Sequence, residues 1–299
     1  MYDSSDPRSA LAAKTTVVTD GSFASADCAK FYEEPAEIQD ENGKTWFVRS
    51  QNCVVAYSRV ENGASFSHGP EQDEFVLLLP TVATTAQVVT REGRVEIEGY
   101  SLAFIPPGSS EITIAGSGPV VRLYTTRSPA LCEQCVNAAS YVTPHANVAE
   151  LVSWPAPKDA AKVHVYSLDV PDEPGRFGRI WRGTSIMVNF LAPQTGPRDI
   201  TKLSPHHHDD FEQISLALEG AFTHHLRWPW TTNLNNWRDD EHRYCASPSV
   251  MIIPPPAIHT SRGMLEGLNQ LVDIFSPPRR DFSMQPGWVL NADDYPMPD

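Results

Sequence analysis

Basic residues, cysteines and long apolar runs are all scarce in this sequence, and each scarcity excludes a class of protein. Only 23 lysines and arginines stand against 37 acidic residues, a formal net charge of −14, so a nucleic-acid partner is not expected. No run approaches the roughly 18 apolar residues that a membrane helix needs. Five cysteines without a disulfide pattern favour a reducing cytoplasm. Residues 1–6 lack a basic region before an apolar core, so we expect no secretory signal and no membrane partner.

The apolar residues that are present occur in short runs. The chain has 299 residues, of which 41% are hydrophobic and 20% charged, which suits two ordinary globular domains. Runs such as 46–48, 53–57, 75–79 and 250–253 are separated by glycine and proline breakers. Many short strands between such breakers indicate a β-sandwich or β-barrel.

A histidine cluster leads into an alternating strand that ends at Gly220. Histidines one residue apart on an extended segment point the same way because strand side chains alternate with a period of two. His206 and His208 can therefore reach one metal ion, while His207 faces away. His259 follows the buried-strand run 250–253 and its prolines and is a further candidate ligand.

This pattern resembles the first signature motif of the cupin superfamily, in which His-x-His is followed by a glutamate or glutamine and then a glycine. Here four residues separate His208 from Gln213, and six separate Gln213 from Gly220. The second cupin motif has its counterpart around His259, although proline replaces both of its glycines; the residues that keep its spacing are Pro248, Pro254, Pro256 and His259.

The resemblance implies an RmlC-like jelly roll, a small double-stranded β-helix barrel with a metal inside it. The ligands that it implies are His206, His208, Gln213 and His259, and the cofactor is a divalent transition metal (Fe, Mn, Ni or Zn). No catalytic residue beyond these ligands is indicated.

The fourth ligand has two candidates. Adjacent strand residues face opposite sides, so only one of Glu212 and Gln213 can point inward. The spacing to Gly220 favours Gln213, whereas a carboxylate such as Glu212 is the harder donor for a divalent ion. We favour Gln213 and leave Glu212 as the alternative.

The first half of the chain repeats the pattern of the second. Residues 105–107 match 253–255, which places Glu111 opposite His259, and we align Glu74 with Gln213. We therefore predict an all-β chain of two tandem cupin barrels, a bicupin. His68 is the only histidine left near the expected place in the first half, so we expect this barrel to be metal-free.

These observations predict a set of boundaries. An N-terminal arm spans 1–30, with a short β-prone run at 15–18, and the first cupin spans 31–140. A linker occupies 141–160, the metal-binding cupin 161–280, with 161–168 at its start, and a C-terminal tail 281–299.

Three further features are open to two interpretations each. The insertion 228–240 holds three tryptophans and is either a lid over the metal or an oligomer contact. Arginines in 176–182 either meet a substrate carboxylate or form a solvated strand edge, which we favour slightly. Cys132 and Cys135 have redox or zinc spacing but are more simply ordinary thiols on a short helix.

The resemblance and the ligand set together predict a metal-dependent enzyme with a small oxygenated substrate. We expect an oxidoreductase, a non-haem metal dioxygenase, as the first hypothesis. A non-redox isomerase, lyase or decarboxylase of a sugar acid or keto acid is the second, and a non-catalytic metal-binding or ligand-binding cupin is the third. Because cupins often dimerise, we expect a homodimer in the cytoplasm.

Overall fold

Short β-strands make up nearly all of the regular structure in the computed structural model, which describes residues 22–298. The run 15–18 and most of the arm 1–30 lie outside the described residues. Within the described residues, eleven strands come before the first helix: β1 (Asp27–Ala29), β2 (Ile38–Asp40), β3 (Gly43–Arg49), β4 (Cys53–Val60), β5 (Ser65–Glu71), β6 (Phe75–Leu79), β7 (Thr85–Thr90), β8 (Gly93–Ile97), β9 (Ser101–Ile105), β10 (Gly108–Ala115) and β11 (Gly118–Thr125).

The second part of the chain has the same character. Its strands are β12 (His164–Ser167), β13 (Ile180–Arg182), β14 (Met187–Phe190), β15 (Gln194–Thr195), β16 (Gln213–Glu219), β17 (Ala221–Arg227), β18 (Glu241–Ala246), β19 (Ser249–Ile253), β20 (Ile258–Gly263) and β21 (Leu268–Phe275). The helices of the described residues are short: α1 (Pro129–Gln134), α2 (Arg280–Ser283) and the 3-10 helices Ala138–Tyr141 and Leu234–Asn236.

The strands form two barrels, each built from one large and one small antiparallel sheet. In the first barrel the large sheet has the order β12-β9-β6-β11-β4-β3-β2 and the small sheet β5-β10-β7-β8. In the second barrel the large sheet runs β1-β19-β16-β21-β14-β13, with β15 beside β21, and the small sheet runs β18-β17-β20. The predicted all-β fold class is confirmed.

Each barrel borrows an edge strand from the other part of the chain. β1, close to the N-terminus, pairs with β19 of the second barrel, with Cys28 opposite Met251. β12 pairs with β9 of the first barrel, with Val165 opposite Ala103. Residues 161–168, which we expected to begin the second barrel, therefore extend the first one. The exchange covers a sheet edge in each barrel, where unpaired backbone groups would otherwise be left.

The central strands are apolar on both faces because each face is buried against something different. On β6 and β16, Val76, Leu78, Ile214 and Leu216 belong to one apolar cluster shared between the two barrels. The alternate residues of β6, such as Phe75, fill the interior of the first barrel. This shared cluster packs barrel against barrel.

The strand register corrects the internal alignment by one residue. Phe75 pairs with Ile105, and Gln213 pairs with Ile253. Since 105–107 and 253–255 correspond, the counterpart of Gln213 is Phe75, and Glu74 corresponds to Glu212 instead. Our alignment of Glu74 with Gln213 was wrong, because the two apolar strands match equally well by composition when one is shifted by a residue.

Glu74 lies at the start of β6 and reaches across to the second barrel. Its Oε1 accepts a hydrogen bond from the backbone N–H of Thr184 at 2.9 Å, and its Oε2 accepts one from the hydroxyl of Tyr295 at 2.7 Å. Burial is the main cause that raises the pKa of Glu74 to about 7.

Glu212 makes the equivalent contacts at the start of β16. It accepts from the backbone N–H of Gln51 at 2.5 Å and from the hydroxyl of Tyr141 at 2.9 Å, both on the side of the first barrel. Two buried glutamates thus join the barrels in a pseudo-twofold arrangement, each satisfied by one backbone amide and one tyrosine.

The raised pKa of Glu74 predicts a pH dependence of stability. A carboxyl whose folded pKa is about 7 rather than its ordinary 4.5 binds its proton more tightly in the folded state. This tighter binding adds at most about 3 kcal/mol to the free energy of unfolding. The whole of it is present below about pH 4.5, and it is lost as the pH rises through 7. The Glu74→Gln variant lacks this loss, so it should gain stability relative to the wild type between pH 5 and 8.

Urea unfolding of both proteins across this range measures the difference. The exposed Glu98 supplies the control, Glu98→Gln, which should follow the wild type at every pH. A constant difference between Glu74→Gln and the wild type would contradict the prediction.

Candidate metal centre

Three histidines converge inside the second barrel. A backbone bridge brings two of them together: the N–H of His206 donates to the carbonyl of His259 at 3.0 Å, and the reverse bond is 2.7 Å. His208 lies two residues further along on the same side, and the ligand atoms of the three rings lie within 4.8 Å of one another. His207 points away and contacts Asp209 at 3.3 Å. Within residues 22–298, no other group of three or more histidine, cysteine or acidic side chains is arranged so that it could hold an ion.

Backbone carbonyls set the tautomers of two of these rings. The Nδ1 atom of His206 lies 2.8 Å from the carbonyl oxygen of Ser204, and Nδ1 of His259 lies 2.9 Å from that of Ala257. A carbonyl oxygen only accepts, so each Nδ1 carries a proton, and in the neutral ring Nε2 keeps its lone pair. Such a contact on the far nitrogen is the usual way in which proteins orient a metal-binding histidine.

Gln213 lies with the histidines, and its amide has a defined orientation. Its Oε1 is 2.9 Å from Nε2 of His208 and 3.2 Å from Nε2 of His259. Its Nε2 donates to Ser215 Oγ at 3.0 Å and to Asp273 Oδ1 at 3.1 Å. Because the amide nitrogen faces these acceptors, the amide oxygen faces the imidazoles.

Glu212 takes no part in the cluster. Adjacent residues of β16 face opposite sides, and the carboxylate of Glu212 contacts Gln51 and Tyr141 on the first barrel. The structure therefore places Gln213, not Glu212, beside His206, His208 and His259.

Burial keeps His208 uncharged. Desolvation holds its pKa well below the ordinary value, and the positive charges of Arg279 and of the neighbouring histidines act in the same direction. The ring also stacks on Phe211, with centroids 4.5 Å apart. Neutral imidazole is the form that binds a metal.

A cavity of about 360 Å³ opens beside the cluster. His206, Gln213 and His259 line it. Charged residues of both signs line it as well: Arg176, Arg198, Asp172, Glu173 and Asp273. The volume is near the lower end for ligand pockets, so the cavity suits a small polar molecule.

Sequence reasoning missed Arg198 and Asp273. The guanidinium of Arg198 is held by the carbonyl of Ser261 and the hydroxyl of Ser204, both at 2.9 Å. Asp273 accepts from Ser215 at 2.8 Å and sits in the otherwise apolar run 271–275. A carboxylate in a buried strand is the signal that could have identified Asp273, because burial requires a partner.

Two arginines of the 176–182 segment are buried, so the solvated strand edge that we favoured is wrong for them. Arg179 donates to the carbonyls of Leu168 at 2.8 Å and Phe190 at 3.2 Å. Arg182 is 1% exposed and donates to the carbonyl of Tyr295. Both guanidinium groups thus hydrogen-bond to backbone carbonyls of other segments. Of Arg176, Arg179 and Arg182, only Arg176 lines the cavity.

The tryptophan insertion lies outside the cavity. Trp228 is buried and donates its indole N–H to the carbonyl of Ala24 at 3.1 Å, whereas Trp230 and Trp237 stack on each other at 4.6 Å and are 77% and 39% exposed. No residue of 228–240 lines the cavity, so a lid role has no support in this conformation.

His224 is a buried structural histidine that contacts Ser261 Oγ at 2.8 Å.

The corresponding residues of the first barrel do not converge. Nε2 of His68 lies 2.6 Å from the Tyr124 hydroxyl, the exposed Glu111 accepts from Ser67 at 2.8 Å, and Glu74 faces the other barrel. Phe75 occupies the position of Gln213. Burial is the main cause that lowers the pKa of His68 to about 4. The loss of metal binding there stays a prediction.

The remaining predicted features have simple surroundings. Cys132 and Cys135 direct their thiols to the backbone carbonyls of Thr126 and Leu131, at 3.5 and 3.3 Å, as ordinary thiols do. Among residues 22–298, no helix has both the length and the apolar character needed to cross a membrane.

Comparison with solved structures supports the fold and no closer relationship. The AerE structure from Microcystis aeruginosa matches with a TM-score of 0.55 and 10% identity, covering 86% of this chain and 99% of that one. A formate complex of Lactobacillus farciminis oxalate decarboxylase has a TM-score of 0.54 and 13% identity, with 87% and 89% covered. A Bacillus subtilis oxalate decarboxylase studied for its Mn(II) centres has a TM-score of 0.50 and 10% identity, with 91% and 84% covered.

No family model matches the chain, and no curated protein matches it. At these identities the structural likeness shows the fold alone. The chain has the all-β jelly-roll fold that the sequence predicted.

The contacts of Gln213 predict that Asp273 positions its amide for metal binding. Asp273→Leu removes one of the two acceptors of the amide nitrogen and the group that Ser215, the other acceptor, donates to. The amide can then rotate, and Mn(II) or Zn(II) affinity should fall about 10–100-fold. Asp273→Asn keeps an acceptor oxygen and should retain most of the affinity.

Isothermal titration with each ion measures the effect, and thermal unfolding verifies that the variants are folded. Asp239→Asn, at an exposed position, is the matched control. A folded Asp273→Leu protein with wild-type affinity would show that the amide is held in some other way.

Proposed function

We propose that this protein is a divalent-metal-dependent enzyme that decarboxylates or isomerises a small carboxylate substrate without oxygen. The observation that carries the proposal is the convergence of three imidazoles and an oriented amide oxygen beside a cavity of about 360 Å³.

The donor set fits a divalent transition metal. His206, His208 and His259 offer nitrogen and Gln213 offers oxygen, a combination that suits Mn, Fe, Ni or Zn. No protein carboxylate is among the donors, so a bound ion would keep its full charge to polarise a substrate carboxyl or carbonyl group. His206, Gln213 and His259 line the cavity, and its volume is left for substrate, as in catalytic metal sites.

The chain itself contributes charge and shape. Arg198 lines the cavity, and Ser261 and Ser204 hold its guanidinium in a fixed position. A guanidinium held in this way can pair with the carboxylate of a substrate, although acidic residues line the cavity as well (Asp172, Glu173 and Asp273). Phe177, Leu191, Phe222 and Leu271 supply apolar wall, which limits water around the reacting group. The small volume favours a substrate of a few carbon atoms.

The structural likenesses support the non-redox class over the dioxygenase that we ranked first. Two of the matched proteins are oxalate decarboxylases, and one of them contains Mn(II) centres. The dioxygenase hypothesis stays a prediction that no observation tests. The homodimer and the cytoplasmic location also remain proposals. So do the domain boundaries 31–140 and 161–280, except that strand β12 within the second range pairs with the first barrel.

An anaerobic assay tests the proposal. Protein loaded with Mn(II) is incubated without oxygen with a panel of small dicarboxylates, 2-oxo acids and sugar acids in D₂O. CO₂ release, or deuterium exchange into substrate, should be detected and should fall at least about 100-fold in His259→Ala, which loses a ligand. His225→Ala, on the outer face of β17, should keep the wild-type rate.

Three other results would refute the proposal. Turnover only with oxygen, seen as oxygen uptake, would favour the dioxygenase. Stoichiometric metal without turnover of any substrate would favour a binding module. Equal rates for His259→Ala and the wild type would place the chemistry elsewhere.

A further inference from the structure

Two thiols from distant parts of the chain meet on the second barrel. Sγ of Cys28 lies 2.8 Å from Sγ of Cys245, and 217 positions separate the two residues in sequence. Cys28 is partly exposed, Cys245 is buried, and neither is in a disulfide. This contact is independent of the metal centre and of the spacing between Cys132 and Cys135.

The two cysteines lie on the edges of different sheets. Cys28 is on β1, the edge strand of the large sheet. Cys245 is on β18, the edge strand of the small sheet, opposite Phe222 of β17. A bond between them would join the two sheets that enclose the metal centre.

The segment that carries Cys28 covers the interior near His259. Phe23 and Ala26 belong to an apolar cluster of the second barrel together with Leu226, Trp228, Met251, Ile253 and Ala257. β1 itself has three residues, so few backbone hydrogen bonds hold the segment 22–30 in place. A disulfide between Cys28 and Cys245 would therefore hold segment 22–30 more firmly on the second barrel.

The surroundings of the pair favour thiol chemistry. The hydrogen bond from Cys28 is the main cause that lowers the pKa of Cys245, and the positive charges of Lys30 and Arg243 contribute in the same direction. The thiolate is the reactive form of cysteine. The same hydrogen bond, together with burial, raises the pKa of Cys28, so Cys245 is the thiolate of the resting pair. Because the two sulfurs are 2.8 Å apart, the Cys245 thiolate can take the proton of Cys28 as Cys28, the more exposed residue, attacks a disulfide.

We propose that Cys28 and Cys245 are a reversible dithiol–disulfide site, oxidised by a low-molecular-weight disulfide such as glutathione disulfide, that fastens segment 22–30 to the metal-binding barrel. The Cys28 thiolate attacks one sulfur of glutathione disulfide, forms a mixed disulfide and releases one glutathione thiolate. Cys245, having lost its proton to solvent, attacks Sγ of Cys28 and releases the second. Two protein thiols are oxidised, and one disulfide is reduced to two glutathione molecules that take up the two protons.

Redox titration of the full chain tests this site. Protein is equilibrated with mixtures of oxidised and reduced glutathione, alkylated and digested, and the peptides are identified by mass spectrometry. A linked peptide pair containing Cys28 and Cys245 should accumulate as the buffer becomes oxidising and disappear with dithiothreitol. Free thiols should fall from five by two.

The stability of the oxidised protein gives a second measurement. A bond that closes a loop of this length should raise the unfolding temperature by about 5–10 °C over the reduced protein. Cys28→Ser should show neither the link nor the rise, whereas Cys132→Ser should show both.

Each of three results would overturn the proposal. Both thiols could stay open to alkylation in fully oxidised buffer, or the reaction could end at glutathionylated Cys28. A link could also form between other cysteines while Cys28 and Cys245 remain reduced.

Discussion

The opposite directions of two neighbouring side chains at the start of β16 are the constraint on which the rest of the structure depends. Gln213 points into the barrel, where its amide oxygen meets the histidines. Glu212 points out of it and accepts hydrogen bonds from the first barrel. Strand geometry forces this division, so a single register both completes the candidate site and joins the two barrels. A shift by one residue would bury the carboxylate among the imidazoles and expose the amide to the interface.

The first barrel shows what the same frame produces with other side chains. Glu74 keeps the outward role of Glu212, but the inward position holds Phe75, and the interior behind it is filled by an apolar cluster. In the second barrel the apolar interior is divided among smaller clusters that leave room for polar side chains and a cavity. The interior of the first barrel is thus filled by apolar packing, whereas part of the interior of the second barrel holds the candidate metal site. This is consistent with the general observation that functional sites are built at a cost to packing.

Much of the fold and most of the site could be predicted from the sequence. Short apolar runs between glycine and proline indicated an all-β chain, and the two-residue spacing of His206 and His208 indicated a shared face, because both inferences rest on the local periodicity of a strand. Gln213 came from the spacing of the first motif that the sequence resembles. His259 came from the spacing of a second motif. The predictions that failed concerned partners outside the local segment: the alignment of Glu74, the strand β12 assigned to the wrong barrel, and the burial of Arg179 and Arg182.

The sequence by itself determined the period-two pattern, the turns that interrupt it and the side chains available to hold an ion. Only the tertiary structure decided which sheet each edge strand joins, that Asp273 orients the amide of Gln213, that Arg198 lines the cavity and that Cys28 meets Cys245. The physical reason is that alternation along a strand is fixed by bonds between neighbouring residues. Contacts between residues far apart in the chain instead depend on how two barrels pack and exchange strands, and no local pattern encodes that choice.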